Sequence, residues 1–255
     1  TDYLPKSNKM KKFLILMLLC GFVYSYSFAQ ATTDKPAYHM YNNMLVMPKR
    51  GMEKKFEDGV KAHNAMFHSS GPNKATLSQI TEGFKSNGWY VWSMGPMTFT
   101  DMDHAPGGDA KHDADWDKNV DVYVEEYGES HFWKLQDNLS YTPPNYNPSH
   151  VDVWIVDIKP GMRYEFAELM KMNKAVWDAK KYNFSSRVFY NELWNRSGQD
   201  AAVIFNFEKY AEYDEDIKFK EDYESVHGPG SYDSFWKRWH LCVEGVNEQM
   251  RKFIK

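Results

Sequence analysis

The pattern of apolar and polar positions in the second half of the chain predicts a strand, a helix, two strands and a long final helix. Val151–Ile158 has the composition of a strand and ends at the turn-forming pair Pro160 and Gly161. The following helix has an apolar stripe at 3.6-residue spacing: Met162, Phe166, Leu169, Met170, Asn173 and Trp177. Residues 186–194 and 201–207 are predicted strands joined by a turn at 195–198, and residues 231–254 are the predicted final helix.

The first half has the same order of predicted elements. Strands are predicted at residues 41–47, 78–84 and 89–100, with a helix over 52–67 after the first of them. A last helix is predicted from about residue 115 to residue 139. The segment 101–113 is predicted to be a loop inserted before that helix.

Residues of the two halves match at an offset of 110. Gly51, Met52, Phe56, Lys61, Ala65 and Phe67 align with Gly161, Met162, Phe166, Lys171, Ala175 and Trp177. A second match places Phe132-Trp133-Lys134 against Phe235-Trp236-Lys237. Three prolines within 142–149 predict a linker between the copies. The chain is therefore predicted to contain two tandem copies, at residues 36–141 and 150–255.

Each predicted copy resembles a ferredoxin-like unit, in which two helices pack on one antiparallel sheet. Two such units in tandem are similar to the dimeric α+β barrel superfamily, which includes antibiotic-biosynthesis-monooxygenase-like and stress-response barrel proteins. The resemblance implies an α+β fold in which one chain forms a pseudo-dimeric barrel, and such a chain is expected to be a monomer. Two independent ferredoxin-like domains side by side are the structural alternative. The superfamily includes cofactor-free oxygenases, haem-binding and haem-degrading enzymes, and stress-response proteins, so the fold alone does not assign a function.

The N-terminal residues are predicted to direct export. Lys11 and Lys12 precede an apolar run that ends in small residues, which is typical of a signal peptide over 10–29. Residues 1–9 are interpreted as upstream read-through, and lipidation at Cys20 is a minor alternative. The ending Ser27-Phe28-Ala29-Gln30 resembles signal peptides of the Bacteroidota. We therefore expect a periplasmic or secreted protein with no retained transmembrane helix.

Composition narrows the set of partners. The net charge of −4 gives no support to a nucleic-acid partner, because nucleic-acid binders concentrate positive charge. With two cysteines in the whole chain, a disulfide scaffold is excluded. The motifs of serine hydrolases, zinc proteases and nucleotide-binding proteins are absent from the sequence.

Two polar residues interrupt the apolar stripes of the first helix in each copy, His63 in the first and Asn173 in the second. Polar groups in a mostly apolar wall are typical of a small-molecule site. Phe67, Trp177 and Trp89 supply aromatic walls that suit a small apolar or aromatic ligand. We predict an apolar pocket of this kind between helix and sheet in at least one of the two copies, and we expect it to bind such a molecule. The alternative is that His63 and Asn173 are core residues whose hydrogen bonds are satisfied internally.

The resemblance also implies a second candidate site, which is catalytic. Haem-degrading members of the superfamily have an asparagine on the first strand, a tryptophan on the third and a histidine on the last helix. Asn43, Trp92 and His131 occupy the matching predicted elements of the first copy. The alternative function is therefore a cofactor-independent monooxygenase or a haem enzyme, although no cofactor is required by the sequence. A third reading is a non-enzymatic envelope protein that docks a partner.

The segment from Asp101 to Asp117 combines acidic residues with His104 and His112. Such a set can bind a cation, but the spacing departs from a calcium-binding EF-hand loop, because Lys118 stands where glycine is required. We interpret the segment as a solvated loop whose acidic residues cap the next helix. The sequence thus leads us to expect no metal site.

Overall fold

The structure is a computed structural model that describes residues 38–83, 85–144 and 148–255. The predicted signal peptide at 10–29, the segment 1–9 and Cys20 lie outside the described residues. Across the described ranges, no helix has the length and apolar character needed to cross a membrane.

In the part of the chain that the structure describes, eight antiparallel strands form the sheet. In chain order they are β1 (Met40–Pro48), β2 (Ala75–Gly83), β3 (Tyr90–Met97), β4 (Val124–Leu135), β5 (His150–Ile158), β6 (Ser185–Asn191), β7 (Ala201–Phe207) and β8 (Val243–Ile254). Their spatial order is β1-β3-β2-β8-β5-β7-β6-β4, and β4 pairs with β1 to close the sheet into a barrel. Both halves of the chain contribute to this barrel, since β2 pairs with β8 and β4 pairs with β6. Two independent domains side by side are therefore excluded.

Within the described residues, six α-helices accompany the strands. They are α1 (Glu53–Phe67), α2 (Phe99–Met102), α3 (Ala110–Asn119), α4 (Arg163–Lys180), α5 (Phe219–His227) and α6 (Ser231–Cys242). The apolar face of α1, with Phe56 and Val60, packs against the outer sides of β1 and β3. The apolar face of α4 packs in the same way on the second half, together with α5 and α6.

The inside of the barrel holds a separate apolar cluster. Its buried members come from strands alone: Trp133, Val151, Val153, Ile155, Phe189 and Ala202. Because side chains alternate between the two faces of a strand, residues two apart along these strands also point inward. This barrel-interior face is distinct from the outer face that the helices cover.

The turns into α1 and α4 have the same construction in the two halves. Gly51 and Gly161 adopt positive φ values of 79° and 81°. Met52 and Met162 follow them, and the N–H groups of these methionines donate to the carbonyls of Lys49 and Lys159 at 2.9 and 3.0 Å. A left-handed residue at this point favours glycine, since glycine has no Cβ to clash. The offset of 110 thus aligns positions with matching local geometry.

Two helix predictions are wrong in their extent. The predicted helix over 115–139 ends at Asn119, and strand β4 covers Val124–Leu135. The predicted helix over 231–254 ends at Cys242, before β8 begins. The second sequence match is also wrong, because residues 132–134 lie in a strand whereas residues 235–237 lie in helix α6. The segment predicted as a loop over 101–113 contains the end of α2 and the start of α3. Helix α5 was not predicted.

Candidate metal centre

A glycine determines how closely helices α1 and α3 approach. A Cβ built on Gly59 would lie 2.0 Å from the backbone carbonyl oxygen of Asn119 at the end of α3. Any side chain at this position would push the two helices apart, because a carbon cannot approach a backbone oxygen so closely. The close approach places α3 over the buried face of α1, where His63 follows Phe56 and Val60.

Three histidine rings converge between these helices. His63 lies on α1, His68 directly follows the end of α1, and His112 lies on α3. Nε2 of His112 is 3.2 Å from Nε2 of His63 and 3.1 Å from Nε2 of His68. His63 and His68 are buried, with 0% and 3% of their surface exposed, and the side chain of His112 is 13% exposed.

Each ring is oriented by a hydrogen bond at its other nitrogen. Nδ1 of His63 is 2.8 Å from a carboxylate oxygen of Asp115, and Nδ1 of His112 is 2.8 Å from a carboxylate oxygen of Asp113. Nδ1 of His68 is 2.8 Å from the backbone carbonyl oxygen of Asn73. Metal-ligating histidines have this arrangement, in which a carboxylate or carbonyl fixes the orientation and tautomer of the ring.

The tautomers of the rings follow from these partners. A carbonyl oxygen and an ionised carboxylate accept hydrogen bonds and cannot donate them, so each Nδ1 carries the proton. In a neutral imidazole the other nitrogen is then an unprotonated acceptor. Three Nε2 lone pairs therefore face one another, and a cation between them would turn this repulsion into attraction.

Electrostatics favour neutral histidines and ionised carboxylates. Burial lowers the pKa of His68 to about 4 and also lowers the pKa of His63. The hydrogen bond with His63 lowers the pKa of Asp115, and the hydrogen bond with His112 lowers the pKa of Asp113. Neutral imidazole is the form that binds a metal ion.

The spacing of the nitrogens suits a transition metal ion. Zinc binds histidine nitrogen at about 2.0–2.1 Å in a tetrahedral arrangement, which separates neighbouring ligand atoms by about 3.3 Å. The two separations given above are close to this value, and one ring nitrogen from each histidine lies within 4.8 Å of the other two. Three imidazole ligands would leave a fourth position for water or another ligand.

Aromatic rings enclose the three histidines. The Phe67 ring centroid is 5.0 Å from that of His63, Trp116 is 5.0 Å from His63, and Trp92 is 5.1 Å from His68. Because apolar walls exclude water, they strengthen electrostatic interactions at the centre. The partial exposure of His112 leaves access from its side.

The structure separates the five residues predicted to bind an apolar ligand. His63 and Phe67 belong to the histidine cluster, whereas Asn173 and Trp177 lie on α4 in the other half. Trp89 lies against Gly128 of β4. Asn173 has a buried side-chain oxygen without a hydrogen-bond partner, and Trp177 is buried against Tyr141 and Phe184. The five residues therefore divide between the helix–sheet layers of the two halves.

The predicted haem residues do not fit one haem pocket. Asn43 and His131 are paired across β1 and β4, and the Asn43 side chain accepts a hydrogen bond from Ser93. Trp92 precedes Ser93 on β3, so its ring points to the opposite face, where its Nε1 donates to Asn64. The prediction that His131 lies on a helix is wrong, since it lies in strand β4. Its ring is bonded to Glu129 and Asn191.

Sequence reasoning identified His63 and noted His112, but it missed His68 and predicted no metal site. The segment containing His112, Asp113 and Asp115 was interpreted as solvated, and its capping role is confirmed in part, because the Asp109 carboxylate accepts hydrogen bonds from two N–H groups at the start of α3. The unused signal was a pair of histidines on one helix end together with a third histidine flanked by aspartates. Only the folded structure, in which α3 packs on α1, shows that they meet.

Comparisons with known proteins show the fold. No protein-family model matches the chain, and no curated protein matches it in sequence. A monooxygenase candidate from Fusobacterium nucleatum superposes with a TM-score of 0.58 at 10% identity, over 86% of this chain and 94% of that chain. A second from Lactobacillus acidophilus has a TM-score of 0.52 at 10% identity, over 85% and 94%. The chlorite dismutase of Candidatus Nitrospira defluvii in complex with imidazole has a TM-score of 0.52 at 6% identity, over 86% and 92%. The chain therefore shares the α+β fold of these proteins.

Proposed function

We propose that the protein binds one divalent transition metal ion at His63, His68 and His112. The observation that carries this proposal is the convergence of three Nε2 atoms whose Nδ1 atoms are each held by an acceptor. Binding of the ion needs no reorientation of the histidine rings, because Asp115, Asn73 and Asp113 already direct the free nitrogens toward one point.

The ligand set favours zinc, copper, nickel or iron. Imidazole nitrogen is a preferred ligand of these ions, whereas calcium and magnesium prefer oxygen ligands. The nearby carboxylates of Asp113 and Asp115 bond to the histidine rings, so they serve as outer partners of the centre.

Three protein ligands and an open fourth position are the composition of catalytic zinc sites. An ion held in this way lowers the pKa of bound water toward 7 and so generates a hydroxide near neutral pH. We therefore place the protein among metal-dependent proteins that act on a small molecule through a metal-bound water. Cofactor-free oxygenation and haem chemistry have less support, because Trp92 lies on the opposite sheet face from Asn43 and His131.

The wider setting of the protein is also part of this proposal. Residues 10–29 support export to the periplasm or beyond, and N-terminal sequencing of protein recovered from the host envelope tests it. The matched turns at Gly51 and Gly161, with the strand orders β4-β1-β3-β2 and β8-β5-β7-β6, support two tandem ferredoxin-like copies. A barrel completed within one chain supports a monomer, which sedimentation measures.

Cobalt titration tests the metal centre. The purified chain, stripped with a chelator, is titrated with Co²⁺ while the visible absorption of the ion is followed. We expect saturation at one ion per chain with the intense bands of a four-coordinate site. His63→Gln and His68→Gln should lose this binding, whereas His227→Gln should retain it, because this half-buried histidine contacts Met172 and Tyr223 away from the centre.

Two outcomes would overturn the proposal. One is a folded wild-type protein, judged by circular dichroism, that binds no Co²⁺ or Zn²⁺ at millimolar concentration. The other is unchanged one-to-one binding in the double variant His63→Gln/His68→Gln.

A further inference from the structure

A cavity opens at one end of the barrel, and none of the three histidines lines it. It lies where β4, β7 and β8 end and where β2 and β6 begin, with helix α1 along one side. Its volume is about 740 Å³, within the range of sites for small molecules. We call it the barrel-end cavity. None of the five residues predicted to bind an apolar ligand lines it.

Arg187 reaches this cavity from inside the barrel. It is opposite Ile204 in the register of β6 and β7 and two residues before Phe189, so it belongs to the barrel-interior face. Its guanidinium lies 5.4 Å from the ring centroid of Tyr41 and 5.0 Å from that of Phe189, and Nη2 donates to the Tyr41 hydroxyl at 3.1 Å. The two rings hold the cation in place by cation–π attraction.

Arg187 has no carboxylate within ion-pairing distance among the residues that the structure describes. A guanidinium carries five N–H donors in a planar fork, a geometry that matches two oxygens of a carboxylate. Charged groups withdrawn from water are usually paired, because an unpaired charge is costly to desolvate. An oriented arginine at a cavity without an acidic partner is therefore suited to an anionic ligand.

A second arginine adds positive charge inside the barrel. Arg251 lies opposite Val151, a member of the barrel-interior cluster, and its guanidinium donates to the side-chain oxygen of Gln249. Burial lowers the pKa of Arg251 to about 10, so it remains charged near pH 7. It too forms no ion pair with a described carboxylate.

The other residues that line the cavity indicate which chemical groups the rest of the ligand should have. Leu135, Phe253 and Val60 supply apolar walls, and Ser185 and Asn206 form a hydrogen-bonded polar pair. Among the other charged residues, Lys61 bonds to the carbonyl oxygen of Lys255, and the Glu57 carboxylate accepts the Tyr90 hydroxyl. The lining thus combines three basic residues, Arg187, Lys61 and Lys255, with one acidic residue, Glu57, and with apolar walls.

We propose that the barrel-end cavity binds a small organic anion, with a carboxylate paired to Arg187 and an apolar body against Leu135 and Phe253. This site is built by residues of the barrel interior together with helix α1, and it uses none of the three histidines.

Binding of 2-naphthoate and of its neutral analogue 2-naphthamide tests the proposal by isothermal titration calorimetry on the chelator-treated full chain. We expect one 2-naphthoate per chain and at least tenfold weaker binding of the amide. Arg187→Met should weaken 2-naphthoate at least tenfold, and Arg187→Lys should retain part of the affinity, because a lysine keeps the charge without the planar fork.

Arg163→Met is the matched control, since Arg163 also stacks on a tyrosine, Tyr190, but is exposed outside the barrel. Its affinity for 2-naphthoate should equal that of the wild type. Equal affinity for acid and amide, no binding of 2-naphthoate, or an unchanged affinity in a folded Arg187→Met protein would overturn the proposal. The comparison of acid with amide uses the wild type alone, so it holds even if Arg187→Met fails to fold. Chelation of metal leaves this result unaffected, which separates it from the metal proposal.

Discussion

At the scale of single residues, the candidate metal centre depends on how its histidines are held. Each ring has one nitrogen bonded to a fixed acceptor, so its second nitrogen has a defined direction before any ion arrives. Such preorganisation reduces the entropy lost on binding.

Replacing Asp115 by alanine tests this role. Asp115→Ala removes the acceptor for Nδ1 of His63 without removing a nitrogen from the centre. We expect the dissociation constant for Co²⁺ to rise by about 10–100-fold, the usual effect of losing an outer partner. Asp117→Ala, an exposed position on the same helix, should retain the wild-type constant. An Asp115→Ala protein with unchanged affinity would contradict the role assigned to the carboxylate.

The buried carboxyl group of Asp152 makes the stability of the folded protein depend on pH. Asp152 on β5 is buried, accepts a hydrogen bond from the Tyr213 hydroxyl at 3.0 Å and lies near Glu248. Burial, and then the charge of Glu248, raise the pKa of Asp152 to about 7 from 3.8. The folded protein therefore holds a proton that the unfolded chain has already released, so the contribution of this group to stability falls as the pH rises.

Urea unfolding at several pH values measures this effect. Between about pH 4 and pH 8, the unfolding free energy of the wild type should fall by roughly 2–4 kcal/mol more than that of Asp152→Asn. Above pH 8 the difference should level off. The exposed Asp137→Asn should follow the wild-type profile. Parallel profiles for wild type and Asp152→Asn would show that the carboxyl group is not protonated in the folded state.

The sequence allowed only part of the centre to be predicted at this scale. His63 was recognisable because it interrupts the apolar stripe of a helix. His68 follows the helix end and His112 lies 44 residues further along the chain, so neither spacing nor periodicity relates them. The three histidines are close together because α3 packs on α1, and this packing cannot be read from the sequence positions of the histidines.

At the scale of elements, the contact between α1 and α3 controls the centre. Gly59 has no side chain, so the backbone of α1 can lie close to the end of α3 at Asn119. This close packing of the two helices lets His112 of α3 contact His63 of α1.

Gly59→Ala should disturb both stability and metal binding. The added methyl group would overlap the carbonyl of Asn119, so α3 has to move. We expect a loss of about 1–3 kcal/mol in unfolding free energy, typical of overpacking, together with weaker Co²⁺ binding. Gly107→Ala is the control, because a Cβ at this position meets no atom within 4 Å. A Gly59→Ala protein as stable as Gly107→Ala would indicate that the helices are farther apart.

The elements that were predicted correctly have a simple apolar pattern. Strands β5 and β7 are buried on both faces and form short apolar runs, whereas helices α1 and α4 bury one face at helical spacing. The predicted bounds of β1, β5, β7 and α1 agree closely with the structure. Strands β4 and β8 were predicted as helix because their apolar residues do not alternate. In β8 the inward positions include Gln249 and Arg251, so the barrel interior is partly polar there and the two-residue period is lost.

At the scale of the whole molecule, closure of the barrel makes the halves depend on each other. Strands β2 and β4 from the first half pair with β8 and β6 from the second. Separation of the halves would leave four strand edges unpaired, and unpaired edges promote association with other chains.

The isolated second half should therefore self-associate. Residues 150–255 expressed alone would expose the edges of β6 and β8, and pairing with another copy would cover them. Light scattering should give a mass at least twice that of the fragment, whereas the full chain should have the mass of one chain. A stable monomeric fragment would contradict this dependence.

The two tryptophans beside the histidines give the centre an intrinsic fluorescence readout. Trp116 lies 5.0 Å from His63 and Trp92 lies 5.1 Å from His68, measured between ring centroids. Copper or cobalt at this distance accepts excitation energy from an indole ring and quenches its fluorescence. Zinc has a filled d shell and does not quench it. Two of the nine tryptophans are this close. Loading with copper should therefore lower the tryptophan fluorescence of the protein in part, and loading with zinc should leave it unchanged. Copper or cobalt at the centre can thus be counted by the loss of tryptophan emission, and either ion can be distinguished from zinc, without any added dye.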